Sequence, residues 1–227
     1  MRPVLSIIIP VLNDAEPLRA LLEHLQTVYG ALNHRVQVIV VDGGSSDEGP
    51  VMAARLGANV EQVPPGRGLQ LNAAFRLARA DLIWMLHADS RPAPAACDWL
   101  ARYRTIGWGR FDVAFEDAGL EMRLVAALMN RRSRLTGICT GDQGIFAHRR
   151  LLERIGGIPE QPLMEDVELS RCLAHLCAPV CPAFTVTTSA RRWRQKGWLI
   201  TVLGMWWFRF QYWTGVSPEV LARRYHD

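Results

Sequence analysis

A chain of 227 residues is long enough to bury one sizeable core, and 49% hydrophobic with 21% charged content excludes intrinsic disorder. The net charge of +4 is unevenly placed, with +5 on residues 188–227 and −1 on residues 1–187. Basicity that mild, without a zinc-finger or RNA-binding signature, excludes nucleic acid as the expected partner. Five cysteines with no Cys-x-x-Cys pair, and a first segment without the sectors of a secretion signal, predict a reducing, cytoplasmic setting.

Val4–Leu12 is a short apolar run rich in β-branched residues and bounded by Asn13-Asp14, which predicts a strand buried on both faces. Asn13 or Asp14 is placed to cap the next helix, where Leu18, Leu21, Leu22 and Leu25 recur at helical spacing. A second buried run, Val36–Val41, ends in Asp42-Gly43-Gly44-Ser45-Ser46-Asp47. A short helix follows, then a strand at Asn59–Val63, a turn at Pro64–Gly68 and a helix over Leu69–Arg79. The fourth run, Leu82–Leu86, ends in His87-Ala88-Asp89-Ser90. Strands alternating with helices predict an α/β fold with a mostly parallel, Rossmann-like sheet flanked by helices. Ligands of such sheets bind beyond the carboxyl ends of the strands, where Asp42 and Asp89 both stand.

Past Asp89 the alternation fades. Helices are predicted over Ala95–Tyr103, Leu120–Arg134 and Val167–Leu176, with short strands at Phe111–Phe115 and Ile145–His148. The expected organisation is a domain over 1–190, with a nucleotide-binding half (1–90) and an acceptor half (91–190) sharing one sheet, followed by a C-terminal helical segment over 191–227.

Several of these residues have both a chemical and a structural reading. Asp42 is suited to accept hydrogen bonds from a ribose hydroxyl or a base N–H, with Gly43 allowing close approach, or else it begins a turn. Asp47 reads as a cap on the following helix. Asp89 is suited to a divalent cation that clamps a diphosphate, or to a turn before Ser-Arg-Pro. Glu165-Asp166 opens a helix, where acids are favoured electrostatically, and a carboxylate there also suits a general base. Thr140-Gly-Asp-Gln-Gly144 is either a tight turn or a loop presenting Asp142 and Gln143 to a polar substrate. Arg67, between two glycines, is either exposed or set against a base or phosphate. Cys172, Cys177 and Cys181 flank His175, but their spacing matches no zinc or iron–sulfur pattern, so they read as inert. Walker, Gly-x-Gly-x-x-Gly, Gly-x-Ser-x-Gly and His-Glu-x-x-His motifs are missing from the sequence.

Taken together, these segments resemble the family 2 glycosyltransferases of the GT-A fold. Leu5–Asn13 is similar to that family's first strand, Val40–Asp47 to its nucleotide-binding turn and Gly66–Ala74 to the segment continuing the donor pocket. His87-Ala88-Asp89 falls where the family has an Asp-any-Asp metal motif, and Met164–Arg171 resembles its Glu-Asp loop. The resemblance implies that Pro10, Asn13, Asp42, Gly43, Arg67, Asn72, His87, Ala88 and Asp89 surround a nucleotide-diphosphate sugar. It implies Mn²⁺ or Mg²⁺ at Asp89, with His87 as a further ligand or a second-shell group, since imidazole suits Mg²⁺ less well. Asp166, with Glu165 beside it, would be the base of an inverting transfer to a lipid, polysaccharide or small-molecule acceptor. Asp142, Gln143 and Trp193 would face that acceptor. Ser189–Trp193 and Gly215–Pro218 resemble a subgroup of small bacterial members. A nucleotidyltransferase would need a Gly-rich, basic loop after the first strand, which Pro10–Asp14 lacks. A non-catalytic interaction protein on a degenerate transferase fold is the other rival, suggested by His87.

Five of the eight tryptophans fall after residue 190. Gly197–Phe208 runs without a charge until Arg209, too short for the roughly 20 residues of a membrane span. Tryptophans beside Arg191, Arg192, Arg194 and Lys196 suit an interfacial helix over 191–213 on anionic lipid. The alternative is a helix buried against the core or in a homodimer.

Overall fold

The computed structural model describes residues 2–30, 35–191, 193 and 197–226. At its centre lie the parallel strands β1 (Leu5–Val11), β2 (Val36–Asp42), β3 (Asn59–Gln62) and β4 (Leu82–Met85). β1 runs beside β2 from Leu5↔Val36 to Val11↔Asp42 and beside β4 from Leu5↔Leu82 to Ile8↔Met85. In the order β3-β2-β1-β4, the chain steps outwards from β1 to β3 and then returns to the far side of β1. That reversal opens a crevice at the carboxyl ends of β1 and β4.

The remaining strands are β5 (Arg91–Pro92), β6 (Trp108–Gly109), β7 (Asp112–Phe115), β8 (Phe146–His148) and β9 (Thr185–Thr188). β8 pairs antiparallel with β4 and β6 with β8, giving a six-stranded sheet β3-β2-β1-β4-β8-β6. The two halves thus meet in that first sheet, to which the second half contributes β8 and β6, while β5, β9 and β7 form a second, three-stranded sheet. The chain leaves the first sheet at Gly109 and enters the second at Asp112. Between them, the Arg110 and Phe111 N–H groups are diverted to the Val180 and Gln143 carbonyls, and the ladder cannot continue.

Alternation along the central strands sorts their side chains onto two faces. Leu5, Ile7, Ile9, Leu82 and Trp84 pack with α1 (Ala15–Tyr29), α2 (Gly49–Arg55) and α4 (Pro94–Arg102). Ile8, Ile39, Val41, Ile83 and Met85 pack on the opposite side with α3 (Arg67–Leu77), α6 (Arg149–Arg154) and α7 (Glu165–Ala174). The expected leucines of α1 are all buried. Its N-terminus is capped from across the fold: Asp47, not Asn13 or Asp14, accepts the Ala15 N–H at 3.0 Å. The other Asp47 oxygen accepts the Gly49 N–H at 3.0 Å, so this carboxylate serves both helix starts.

A third apolar cluster joins Val113 and Phe115 of β7 to Met122, Val125 and Ala126 of α5 (Leu120–Thr136). Val202 and Met205 of α8 (Trp198–Trp213) pack against it, followed by α9 (Pro218–His226). Only Gln211 of α8 is buried, and Leu203, Trp206, Trp207, Phe210 and Trp213 are all more than half exposed. The alternative of a helix buried in the core therefore does not hold. Among the described residues no helix is long and apolar enough to cross a membrane. Arg192, Arg194 and Lys196, part of the expected basic cluster, lie outside the described residues.

Gln70 ties this frame together at the crevice. Its buried Nε2 donates to the Val11 carbonyl at 2.9 Å and the Val41 carbonyl at 2.7 Å, pinning α3 to the ends of β1 and β2. Gln70→Ala leaves both carbonyls without that donor and lowers unfolding free energy by about 1–3 kcal/mol. Urea denaturation monitored by circular dichroism measures this, and an unchanged midpoint would contradict it.

Candidate active site

The donor-side loops are organised by their own polar side chains. Asp42 is almost fully buried, and its carboxylate accepts the Gly44 N–H at 3.1 Å and the Ser45 N–H at 3.0 Å. The turn it closes needs Gly44 at φ 93°, a region that favours glycine. Asn13, itself at φ 53°, receives the Ser46 N–H at 2.8 Å. The two residues hold the ends of β1 and β2 as one rim, with Pro10 inside β1 opposite Val41. A side chain at Gly43 would stand 3.3 Å from Gln70 Nε2 and the Pro65 backbone, so this rim lies close against the start of α3.

Asn72 does not join that rim. It is buried on α3, where its Oδ1 accepts the Ile158 N–H at 3.0 Å and its Nδ2 donates to Glu160. It braces the loop leading to α7. Arg67 opens α3, half-exposed, with Nη1 3.4 Å from Glu165 Oε1.

Three segments meet at Gly141. His87, after β4, places Nδ1 3.1 Å from Asp142 Oδ1. The Gly141 N–H donates to Asp166 Oδ2 at 2.9 Å, while the Val167 N–H donates to Oδ1 at 2.7 Å. A Cβ at Gly141 would lie 2.2 Å from His87 Nε2, which explains why glycine stands there. A narrow cleft with only about 20 Å³ free inside it follows, walled by Arg67, His87, Gly141, Glu165 and Asp166 over the apolar floor of Leu71, Met85, Ile145, Ile158 and Leu169. The sequence offered a signal for this junction in the glycine of Thr140–Gly144, but not for its partners.

Gln143 and Trp193 stand elsewhere than expected. Gln143 is fully buried in a capping box with Thr140, and its Nε2 donates to Ser133 Oγ at 3.0 Å. Its amide is committed to the loop and faces no substrate. Trp193 packs edge-on against Phe115 at 5.4 Å between ring centroids, inside the third apolar cluster. Asp142 stands beside His87, which belongs to the cleft wall.

Asp89 is half-buried and accepts one hydrogen bond, from Thr188 Oγ1 at 3.2 Å. Burial raises the pKa of Asp14 nearby; Arg191 counters it, and Asp89 and Asp47 add to it. These carboxylates make an acidic patch at the crevice. Among the described residues no three His, Cys, Asp or Glu side chains converge as a self-sufficient metal cage. A Mg²⁺ or Mn²⁺ ion that relies on one carboxylate, water and substrate phosphates fits this donor set. His87 fits less well as a ligand, because Nδ1 is committed to Asp142 and Nε2 lies against Gly141.

The profile of the family described as Glycosyl transferase family 2 matches residues 6–105, and the fold is that of the GT-A glycosyltransferases it superposes on. An undecaprenyl-phosphate 4-deoxy-4-formamido-L-arabinose transferase from Pseudomonas fluorescens is 28% identical over 171 residues, 65% of this chain and 47% of that one. The chain thus spans about half the length of the curated relatives it matches. The mannosyltransferase PcManGT from Pyrobaculum calidifontis, solved with GDP-Man and Mn²⁺, superposes with a TM-score of 0.61 at 21% identity. That match covers 82% of this chain and 57% of the other. S. aureus TarS 1-349 with UDP-GlcNAc gives a TM-score of 0.63 at 15% identity, covering 82% of this chain and 58% of the other.

Glu165 is the strained member of the cleft. Its side chain is 4% exposed, and burial, with the Asp166 charge adjoining, raises its pKa above the usual value of 4.5 although Arg67 opposes this. A raised folded-state pKa means that its favourable, protonated state is fully present below about pH 4.5 and lost as pH rises through the folded value. Glu165→Gln therefore raises the melting temperature at pH 7, and the gain shrinks towards zero as pH falls to about 4.5. Melting curves at both pH values check this; a gain independent of pH would contradict it.

Proposed function

We propose that this protein transfers a sugar from a nucleotide-diphosphate sugar to a lipid-borne acceptor, with inversion at the anomeric carbon and the help of a divalent cation. The observation that carries the reading is the junction at Gly141, which ties the strand-end motif leading to Asp89 to the carboxylate of Asp166 across one cleft. The family match over residues 6–105 supports sugar transfer, and the solved neighbours named with GDP-Man and UDP-GlcNAc support a nucleotide-sugar donor. The undecaprenyl-phosphate named in the curated relatives supports a lipid-linked acceptor.

In this reading the rim made by Asp42 and Asn13 receives the nucleoside, and Arg67 lies beside the phosphates. Asp89 would hold the cation, which supplies charge neutralisation to the departing diphosphate. His87 fixes the Asp142 loop rather than binding the ion. Asp166 stands to take the proton of an acceptor hydroxyl or, for an acceptor already ionised, to hold Gly141 in place. Glu165 keeps Arg67 over the cleft. The main-chain donors on Asp166 leave each oxygen a lone pair for this work.

A thermal-shift panel of nucleoside diphosphates, with and without Mn²⁺, tests the donor site. Stabilisation by one diphosphate, enhanced by Mn²⁺, is expected, with the metal-dependent part lost in Asp89→Asn. A chain indifferent to every nucleotide would sink the reading in favour of a non-catalytic role.

The exposed aromatic face of α8 supports docking on a membrane surface, where a lipid acceptor resides. The protein is expected to co-sediment with phosphatidylglycerol vesicles more than with phosphatidylcholine ones, and added salt should weaken it. Equal binding to both would argue against an interfacial helix.

A further inference from the structure

Beside the cleft, on the other side of the α7 start, lies an open cavity of about 320 Å³ lined by Arg132, Thr136, Ile138, Val167, Trp206 and Arg209. Arg132 is anomalous there. Its Nε and Nη2 are shut off from solvent and have no hydrogen-bond partner among the described residues. Burial lowers its pKa, and although Asp166 favours its charge, Arg110 opposes it. Arg110 is also buried and its Nε likewise lacks a partner among the described residues, but both of its Nη groups are paired, with Asp112 and with the Phe111 and Asn130 carbonyls, whereas Arg132 leaves two nitrogens open. A desolvated guanidinium with open donors costs stability, and a native fold rarely keeps one without an acceptor to come. The planar fork of an arginine matches phosphate oxygens two at a time, and Arg209 brings a second guanidinium to the same cavity.

We propose that Arg132 and Arg209 bind the monophosphate head of a lipid acceptor and present it to the cleft past Val167, with the lipid chain leaving over Trp206. This inference rests on the transferase reading and names its acceptor site. Two features select a lipid over a water-soluble phosphate. The cavity walls include Ile138, Val167 and Trp206, and Trp206 continues onto the exposed face of Leu203, Trp207 and Phe210. α5, which carries Arg132, exposes Leu124, Leu128 and Leu135 on its own outer side. The second ionisation of a phosphate monoester falls near pH 6, so its oxygen reaches the cleft largely ionised and needs no base. Asp166 then holds the Gly141 turn.

Isothermal titration of the full chain with farnesyl monophosphate, and separately with inorganic phosphate and with farnesol in the same detergent, tests this. Farnesyl monophosphate is expected to bind at least about tenfold tighter than either fragment. Arg132→Met and Arg209→Ala should each weaken it about tenfold or more while UDP or GDP binding with Mn²⁺ is retained. Because Arg132 has open buried donors, Arg132→Met should melt no lower than the parent; a lower melting point would assign Arg132 to the fold, against the proposal. Unchanged affinity in Arg209→Ala would also overturn it. Inorganic phosphate binding as tightly as farnesyl monophosphate would place a soluble phosphate there instead. A chain that binds farnesyl monophosphate but no nucleoside diphosphate would reject the transferase reading itself, whereas the converse would reject only this site.

Discussion

The site depends on one close approach, the passage of the Gly141 backbone between His87 and Asp166. Its N–H donates to the Asp166 carboxylate while its Cα lies against the His87 ring. Those contacts couple the loop after β4 to the first turn of α7, elements separated in sequence by β5 through β8. A side chain at Gly141 would have to displace an imidazole or the turn itself. The same junction explains the fate of the neighbouring polar groups. Thr140 and Gln143 close the turn from inside, Asp142 pairs with His87 from outside, and Asp166 is left at the cleft with its orientation set by backbone donors.

The nucleotide-side half was readable because its physics is local and periodic. Buried runs such as Leu5–Val11 and Val36–Asp42, each followed by a polar turn, can hardly be anything but parallel strands feeding helices. Their acids fall at the carboxyl ends by position alone. Asp42 closes its own turn, one of the two readings its position offered, but Asn72 braces a loop whose residues lie too far along the chain to show as a pattern.

The second half was harder because its strands are short and paired across long distances. Thr185–Thr188 has one apolar residue and no alternation long enough to mark it, yet it is the central strand of the second sheet. Arg91–Pro92 and Trp108–Gly109 are two residues each and exist only through their neighbours. Arg132 was equally invisible: in sequence it is one arginine in a run of three basic residues around Ser133. Its cavity is completed by Trp206 and Arg209 of α8, far along the chain.

Two ionisable side chains are thus held under unfavourable conditions on either side of the same helix start: Glu165, buried with too little positive charge, and Arg132, buried with no acceptor for two of its nitrogens. A fold selected for stability alone would replace both with apolar residues of similar size. Their opposite signs separate them by task. In the proposed reading the acid keeps Arg67 at the donor cleft, and the Arg132 guanidinium is left to meet a negative charge from outside. Asp166 lies between them, its own charge favouring the protonated state of Arg132 and opposing the ionised state of Glu165. An anionic acceptor entering beside Arg132 would therefore change the field felt at the donor cleft through a single carboxylate, without any element having to move.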